Sequence, residues 1–147
     1  MTSKRGFTLV EIMIVVAIVM TLATLVISSV LRARHNANEM AAVAASKTIA
    51  VACQTYYANA FPHTYPAVLS DLISPQSDPP YIDSVLASGT KQGYSFTYTL
   101  IDPESFTLNA YPVVSGKTGT RHFFVNESGI IKANSSGQAS SADPAVE

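Results

Sequence analysis

The feature that most constrains this chain is an apolar stretch near its N-terminus. It runs from Phe7 to Leu31, 25 residues in which six side chains are not apolar: Thr8, Glu11, Thr21, Thr24, Ser28 and Ser29. About 20 apolar residues are enough for a helix to cross the hydrocarbon layer of a membrane. Inside that layer a single segment satisfies its backbone hydrogen bonds only as a helix. Because the stretch contains neither Pro nor Gly, it predicts an uninterrupted transmembrane helix.

Glu11 is the one charged residue in this stretch. A carboxylate at the centre of a bilayer costs about 2.5–3.5 kcal/mol on insertion scales, and less near the edge, where the side chain reaches the headgroups. Two interpretations stay open. Glu11 is either an acid tolerated at the membrane interface, or a carboxylate that meets a positive partner when helices pack together.

Composition narrows the class of protein. With 147 residues, the chain has room for one modest domain beside the membrane segment. Its formal net charge of −1, without a cluster of Lys and Arg along a helix face, gives no sign of nucleic-acid binding. Cys53 is the single cysteine, so an intramolecular disulfide is excluded. We expect Cys53 to be a small buried helix residue rather than a reactive thiol.

The sequence offers no arrangement typical of catalysis or of a cofactor. The three histidines, His35, His63 and His122, lie in separate segments, and none has a second ligand at metal spacing. No glycine-rich phosphate loop is present, and no Ser-His-Asp arrangement stands out. We therefore expect a protein that is not an enzyme, without a metal or cofactor.

The helical pattern continues beyond the apolar stretch. Residues 32–59 contain no Pro or Gly, and apolar side chains recur there at three- and four-residue spacing: Ala42, Ala45, Ile49, Ala52, Cys53, Tyr56 and Ala60. This spacing predicts an amphipathic half over residues 32–60, whose apolar stripe packs on a soluble domain. The whole helix should end near Asn59, because Phe61-Pro62 cannot continue it.

A connecting loop is predicted over residues 61–93, which are rich in Pro, Ser and Asp. Within the loop, residues 66–73 and 81–86 predict short helical turns. The first turn should bury its four apolar side chains, Val68, Leu69, Leu72 and Ile73. A connection of this length usually serves a function or is displayed on the surface; we expect surface packing, with a binding role as the alternative.

From Tyr94 onwards the period of the apolar residues changes to two. Aromatic and apolar side chains alternate with Ser, Thr and Asn, which predicts an antiparallel sheet of three to four strands over residues 94–132. Residues 133–147 are rich in Ser and Ala and predict a disordered tail. The predicted fold class is α+β, one long helix packed against a small antiparallel sheet.

The residues at the start of the apolar stretch resemble a known signature. Lys4-Arg5-Gly6-Phe7-Thr8-Leu9-Val10-Glu11 is similar to the N-terminus of type IV pilins and of the pseudopilins of type II secretion systems. In that family a prepilin peptidase cuts a short basic leader after the Gly and then methylates the new N-terminal residue. The resemblance implies that residues 1–6 are a leader, that cleavage falls between Gly6 and Phe7, and that Phe7 becomes N-methylated.

The resemblance also implies an assembly role for Glu11, because the family uses an acid at this place to meet the N-terminal amine of a neighbouring subunit. An α-amino group has a reference pKa of about 7.7–8.0, so the amine of Phe7 would be largely protonated at neutral pH. Opposite charges attract strongly in low dielectric, and either charge left unpaired there is costly. Phe7 and Glu11 are four residues apart, so the pair forms either between subunits or within one helix.

The resemblance implies a structural subunit, a type IV pilin that is made in the bacterial inner membrane and leaves it for an extracellular filament. Its partners would be other copies of the chain in a helical homopolymer, the prepilin peptidase and methyltransferase, an inner-membrane assembly platform, minor pilins and, before assembly, membrane lipid. The fibre could serve adhesion, motility, DNA uptake or secretion, and the sequence does not distinguish these roles.

Two alternatives to a major pilin stay open. The first is a minor pilin or a type II secretion pseudopilin in a periplasmic pseudopilus. Major pseudopilins typically bind calcium through an Asp-rich C-terminal loop, whereas the acids after Glu104 are Glu127, Asp143 and Glu147, which favours a pilus subunit. The second alternative belongs to another class, a single-pass membrane-anchored binding domain that never assembles.

Overall fold

The computed structural model describes residues 6–73 and 79–146. The predicted leader therefore lies outside the described residues except for Gly6, as do Pro75 of the connecting loop and Glu147 of the tail. The chain divides into two compact units, residues 1–34 and residues 35–147, and each is described by itself.

The long helix is present and is called α1, Leu9–Asn59, with 51 residues. In the first unit its apolar side chains are exposed on every face; Ile12, Val16 and Val19, for example, are 50%, 43% and 58% exposed. A helix that is hydrophobic all round is typical of a membrane span. Among the described residues, α1 is the one helix long and apolar enough to cross a membrane, with a mean hydropathy of 2.7 in its most apolar window.

In the second unit α1 contributes the predicted apolar stripe to a core. Ala42, Ala45, Ile49 and Cys53 are buried, and Tyr56 packs half-buried against the same cluster. The helix ends at Asn59, where the sequence predicts its end. The 3–4 spacing of these residues places them on one face of the helix, so that face becomes the base on which the sheet packs.

The connection between α1 and the sheet contains a 3₁₀ helix, Leu69–Ile73, and the short helix α2, Ser84–Ala87. Leu69 and Leu72 are buried as predicted, whereas Val68 and Ile73 are exposed, so the prediction for those two side chains is wrong. A 3₁₀ helix repeats every three residues, so Leu69 and Leu72 share one face and their neighbours turn away from the core.

An antiparallel sheet of five strands follows, in the spatial order β1-β2-β3-β4-β5. The strands are β1, Thr90–Lys91; β2, Tyr94–Asp102; β3, Ser105–Pro112; β4, His122–Asn126; and β5, Lys132–Asn134. Side chains from the inner face join the stripe of α1 in one buried cluster: Tyr94, Phe96, Phe106, Leu108, Ala110, Phe123 and Val125. This architecture confirms the predicted α+β class.

The sheet has one strand more than the three to four that the sequence predicts. The additional strand is β1, in which Thr90 pairs with Ser95 and Lys91 pairs with Tyr94. Two residues are too few to form an alternating pattern, so the sequence does not predict β1, and the strand is identified by its pairing with β2.

Residues 133–146 differ from the disordered tail that their composition predicts. After β5 the chain turns and runs back beside it, with an antiparallel bridge between Lys132 and Ala145. The backbone N–H of Ala133 donates to the carbonyl of Pro144 at 3.0 Å, and that of Val146 donates to the carbonyl of Ile131 at 2.8 Å. Backbone pairing therefore orders a segment in which Val146 is the one large aliphatic side chain, and Val146 packs partly buried against the core.

Short polar side chains complete this C-terminal segment. The Asp143 carboxylate accepts hydrogen bonds from the backbone N–H of Ser140 at 2.7 Å, from its hydroxyl at 2.9 Å, and from the Asn134 amide at 2.9 Å. The hydrogen bonds from Ser140 hold the pKa of Asp143 below its ordinary value. Ala139, just before this turn, is only 4% exposed.

Glu39, on the second-unit part of α1, is a buried carboxylate tied to the segment that leads into β4. Its Oε1 accepts from the backbone N–H and the hydroxyl of Thr120 at 2.9 and 3.0 Å, and from the backbone N–H of Arg121 at 3.2 Å. Its Oε2 accepts from Arg121 Nε at 2.8 Å. The neighbouring Asn38 side chain donates to the Thr118 carbonyl at 2.9 Å. These contacts hold the β3–β4 connection against the helix.

The electrostatics of Glu39 follow from this geometry. Burial raises the pKa of a carboxyl group, but the hydrogen bonds from Thr120 and Arg121 outweigh burial and hold the pKa of Glu39 below its ordinary value. The stability that Glu39 contributes is therefore fully present above the pKa of the unfolded carboxyl, about 4.3. It is lost as the pH falls through the lower folded pKa.

We expect Glu39→Gln to lower the free energy of unfolding by about 1–3 kcal/mol near neutral pH, because a neutral amide loses the charge-assisted bond from Arg121 and leaves buried donors unpaired. Protonation of Glu39 at low pH removes the same charge-assisted bond from the wild-type chain. The difference in the free energy of unfolding between the two proteins should therefore become smaller at low pH. Thermal unfolding of the full chain in detergent, followed by circular dichroism near neutral pH and near pH 3, measures this difference. Glu104→Gln, at an exposed carboxylate, is the control. A difference that is equal at both pH values would contradict the role given to Glu39.

Candidate processing and assembly site

The predicted scissile bond lies in a segment without regular structure. Gly6, Phe7 and Thr8 are exposed and non-helical, and α1 begins at Leu9. The side chain of Phe7 is 77% exposed. A peptidase binds a backbone whose N–H and C=O groups are not already paired inside a helix, and exposed irregular segments are the usual places of cleavage. The predicted Gly6–Phe7 bond meets that requirement.

Gly6 has no structural role within the described chain. A Cβ atom built on Gly6 meets no atom within 4 Å, and its backbone does not adopt the left-handed conformation that favours glycine. A larger residue at this place would therefore fold equally well. A requirement for glycine at position 6, as the prepilin pattern has it, would come from a molecule that binds this segment.

Thr8 caps the N-terminus of α1, a role that the interpretation of the sequence did not assign. Its hydroxyl oxygen accepts a hydrogen bond from the backbone N–H of Glu11 at 3.2 Å, and its carbonyl accepts one from Ile12 at 3.3 Å. A Thr followed three residues later by Glu is a sequence signature of a helix start, so this cap was readable from Thr8 and Glu11. The cap fixes where the helix begins relative to the predicted cleavage site.

Glu11 lies in the first turn of α1 and is exposed. A carboxylate is stabilised there, since the N-terminal end of a helix carries a partial positive charge. Neither of the two ion pairs among the described residues involves Glu11. The structure thus places Phe7 just before the helix and Glu11 within its first turn, with the Glu11 carboxylate accessible to a cation from another molecule or from the end of its own chain.

Comparison with protein families identifies this N-terminal segment. The family described as the prokaryotic N-terminal methylation motif matches residues 1–30. The chain carries the prepilin signature. No curated protein and no solved structure matched the chain, so the second unit is described from its own structure alone.

The prepilin signature and the pilin-like fold together indicate a structural protein whose precursor is anchored in a membrane by α1. The signature implies processing by a prepilin peptidase and assembly with other pilins. It is shared by pilins and pseudopilins, and it covers only the first 30 residues, so the particular filament is a matter for proposal.

The remaining candidates for chemistry have structural explanations. Cys53 is fully buried, and burial raises the pKa of its thiol to about 12, so the thiol stays protonated and is a poor nucleophile at neutral pH. His63 stacks on Tyr57 and its Nδ1 lies 3.0 Å from the Tyr57 carbonyl. Within the two described ranges, His, Cys, Asp and Glu side chains do not form a group of three that could hold a metal ion.

We expect Gly6→Val to block removal of the leader without disturbing the fold, because the added side chain meets nothing in the chain itself. The measurement is the intact mass of the protein recovered from cells that contain the prepilin peptidase. The matched control is Gly137→Val, a second glycine whose Cβ would meet no atom within 4 Å. The control should be processed like the wild type, whereas Gly6→Val should keep the full-length mass. Normal processing of Gly6→Val would rule out the predicted cleavage between Gly6 and Phe7.

Proposed function

We propose that this chain is a type IV pilin, the structural subunit of an extracellular helical filament. In this proposal a prepilin peptidase cuts the inner-membrane precursor between Gly6 and Phe7 and methylates the amine of Phe7. The observation that carries the proposal is the combination, in one N-terminal segment, of the prepilin signature with a helix whose apolar side chains are exposed on every face.

The exposed helix supports assembly because it needs an apolar environment in both stages of the proposed life of the protein. Lipid tails surround residues 9–31 in the precursor, and the same residues of other copies surround them in the filament. Helices that leave lipid for one another gain no large hydrophobic free energy, so association depends on close packing and polar contacts. The second unit, with its own buried core, would then lie on the outside of the filament.

Glu11 and the new N-terminus supply such a polar contact in this proposal. Cleavage creates a positive amine at Phe7, and the Glu11 carboxylate of a neighbouring copy would pair with it. Within an apolar bundle either charge alone is costly, so the pair favours one axial register between neighbouring subunits. The exposure of Glu11 and its place in the first turn of α1 support this role.

A pseudopilin or a minor pilin is the second candidate, because the prepilin signature is common to all three. Against a calcium-binding major pseudopilin stands the C-terminal segment itself. The Asp143 carboxylate there already accepts hydrogen bonds from Ser140 and Asn134. A membrane-anchored binding domain that never assembles is the candidate from another class, and it predicts a chain that is never released from the membrane.

The test of the proposed function is the intact mass of the protein in filaments sheared from the surface of native cells. We expect abundant protein that lacks residues 1–6 and carries one additional methyl group. Processed protein confined to the membrane fraction would favour a pseudopilin or a minor pilin. A full-length mass in the membrane would overturn the processing step and favour the anchored domain.

We expect Glu11→Ala to abolish filaments while leaving cleavage and methylation intact, because the change removes the partner of the amine but not the cleavage site. Electron microscopy of the cell surface measures filaments, and intact mass measures processing. Glu104→Ala, at an exposed acid of the second unit, should assemble normally and serves as the control. A Glu11→Ala chain that still forms normal filaments would remove Glu11 from the assembly mechanism.

A further inference from the structure

Two arginines follow the apolar stretch directly, at its C-terminal end. Arg32 and Arg34 lie on α1 in the first unit, and both are exposed. Neither takes part in an ion pair among the described residues, whose two ion pairs join Lys91 to Asp83 and Arg121 to Glu39. The chain therefore places two cations next to its most apolar segment and gives them no counter-ion that the structure records.

The acids closest in sequence are already accounted for. Glu11 lies at the opposite end of the apolar stretch. Glu39 is buried, and its two oxygens accept hydrogen bonds from Thr120 and Arg121. Since neither arginine is in an ion pair among the described residues, an anion that pairs with them comes from outside that part of the chain.

The position of the two arginines indicates which anion they meet. At 1.5 Å per residue, the part of α1 over residues 9–31 is roughly 35 Å long, slightly more than the hydrocarbon layer of about 30 Å. Residues 32 and 34 then fall at the level of the lipid headgroups, on the side of the membrane opposite the N-terminus. Two positions apart on an α-helix, they project about 200° from one another.

We propose that Arg32 and Arg34 bind the phosphate groups of anionic phospholipids and so set the depth of the chain in the membrane. This inference rests on the membrane stage of the proposed function. A guanidinium group donates two parallel hydrogen bonds to a phosphate, a geometry that suits arginine better than lysine. Its apolar stem lies along the end of the helix while the charged group reaches the headgroups.

Lipid phosphates fit this arrangement better than a carboxylate of a second copy. Phosphates surround the helix on all sides at the headgroup level, so arginines on nearly opposite sides of α1 each find a partner. In the membrane stage, before other copies surround the helix, one neighbouring carboxylate lies on a single side of it and reaches only one of the two guanidinium groups. The membrane is therefore the partner that matches both residues at once.

The test uses the full chain reconstituted in phosphatidylcholine vesicles that contain phosphatidylglycerol, then moved into mild detergent. Native mass spectrometry counts the lipids that stay bound. We expect the wild-type chain to retain phosphatidylglycerol in preference to phosphatidylcholine. Losing one juxtamembrane arginine should weaken that binding about fivefold, and losing both about thirtyfold. The variants are Arg32→Gln, Arg34→Gln and the double substitution.

The matched control is Lys47→Gln with Lys117→Gln, which removes the same charge from exposed positions of the second unit. It should retain phosphatidylglycerol like the wild type. If the control and the arginine variant lose bound phosphatidylglycerol equally, the binding depends on net charge alone, and the proposed site is overturned. Equal retention of the two lipids by the wild-type chain would overturn it as well.

Two further outcomes separate this inference from the proposed function. A chain that is washed from the vesicles by alkaline carbonate would count against the membrane stage itself. A chain that stays inserted, but whose double arginine variant binds lipid normally and fails to form filaments in cells, would assign the arginines to contacts between copies. That result overturns the lipid site and leaves the proposed pilin intact.

Discussion

The helix of the first unit satisfies its own backbone but leaves its large apolar side chains exposed. Removing one large aliphatic side chain from water is worth about 1.5–3 kcal/mol. The exposed apolar residues between Leu9 and Leu31 together represent some tens of kcal/mol on that scale. That sum exceeds the roughly 5–15 kcal/mol by which a small domain is stable. The first unit therefore gains a large free energy by entering lipid or packing against other apolar helices, and the roles proposed for the protein depend on this gain.

Two glutamates on α1 show how a carboxylate can be used inside and outside a fold. Glu39 is satisfied within the second unit, where Thr120 and Arg121 supply its hydrogen bonds. Glu11 lies in the stabilising field of the helix start, and within residues 6–73 and 79–146 it takes part in no ion pair. Glu39 therefore contributes to folding, because its partners belong to the same chain. Under the proposed function Glu11 contributes to assembly, because its partner is supplied by another copy.

Whether a feature of the fold could be predicted from the sequence depended on whether its physical cause lies in neighbouring residues or in contacts between distant ones. The apolar stretch, the 3–4 spacing of Ala42, Ala45 and Ile49, and the alternation after Tyr94 are local patterns, so they predicted α1 and the central strands. The partnership of Glu39 with Arg121 joins positions 82 residues apart, and no local pattern reports it. Such a contact depends on tertiary structure.

The structure also differs from the prediction in segments where the prediction rested on composition. Residues 133–146 contain one large aliphatic side chain, Val146, yet backbone pairing with β5 and the hydrogen bonds of Asp143 order them. In the predicted turn at 66–73, a helix of the tighter 3₁₀ type changed which side chains are buried. At the N-terminus, by contrast, a local pattern is sufficient. The Thr and Glu three residues apart predict the cap formed by Thr8, although the apolar stretch beside them is the stronger signal.

The return of the chain beside β5 would matter for a subunit that packs closely against other copies, as the proposed function requires. A strand at the edge of a sheet offers unpaired N–H and C=O groups, and such edges join one another into aggregates. Here residues 144–146 run beside β5, and Ala133 N–H and the Ile131 carbonyl are already occupied by them. The molecule thus closes one route of self-association with its own backbone. Under the proposed function, contact between copies is then left to the exposed apolar helix.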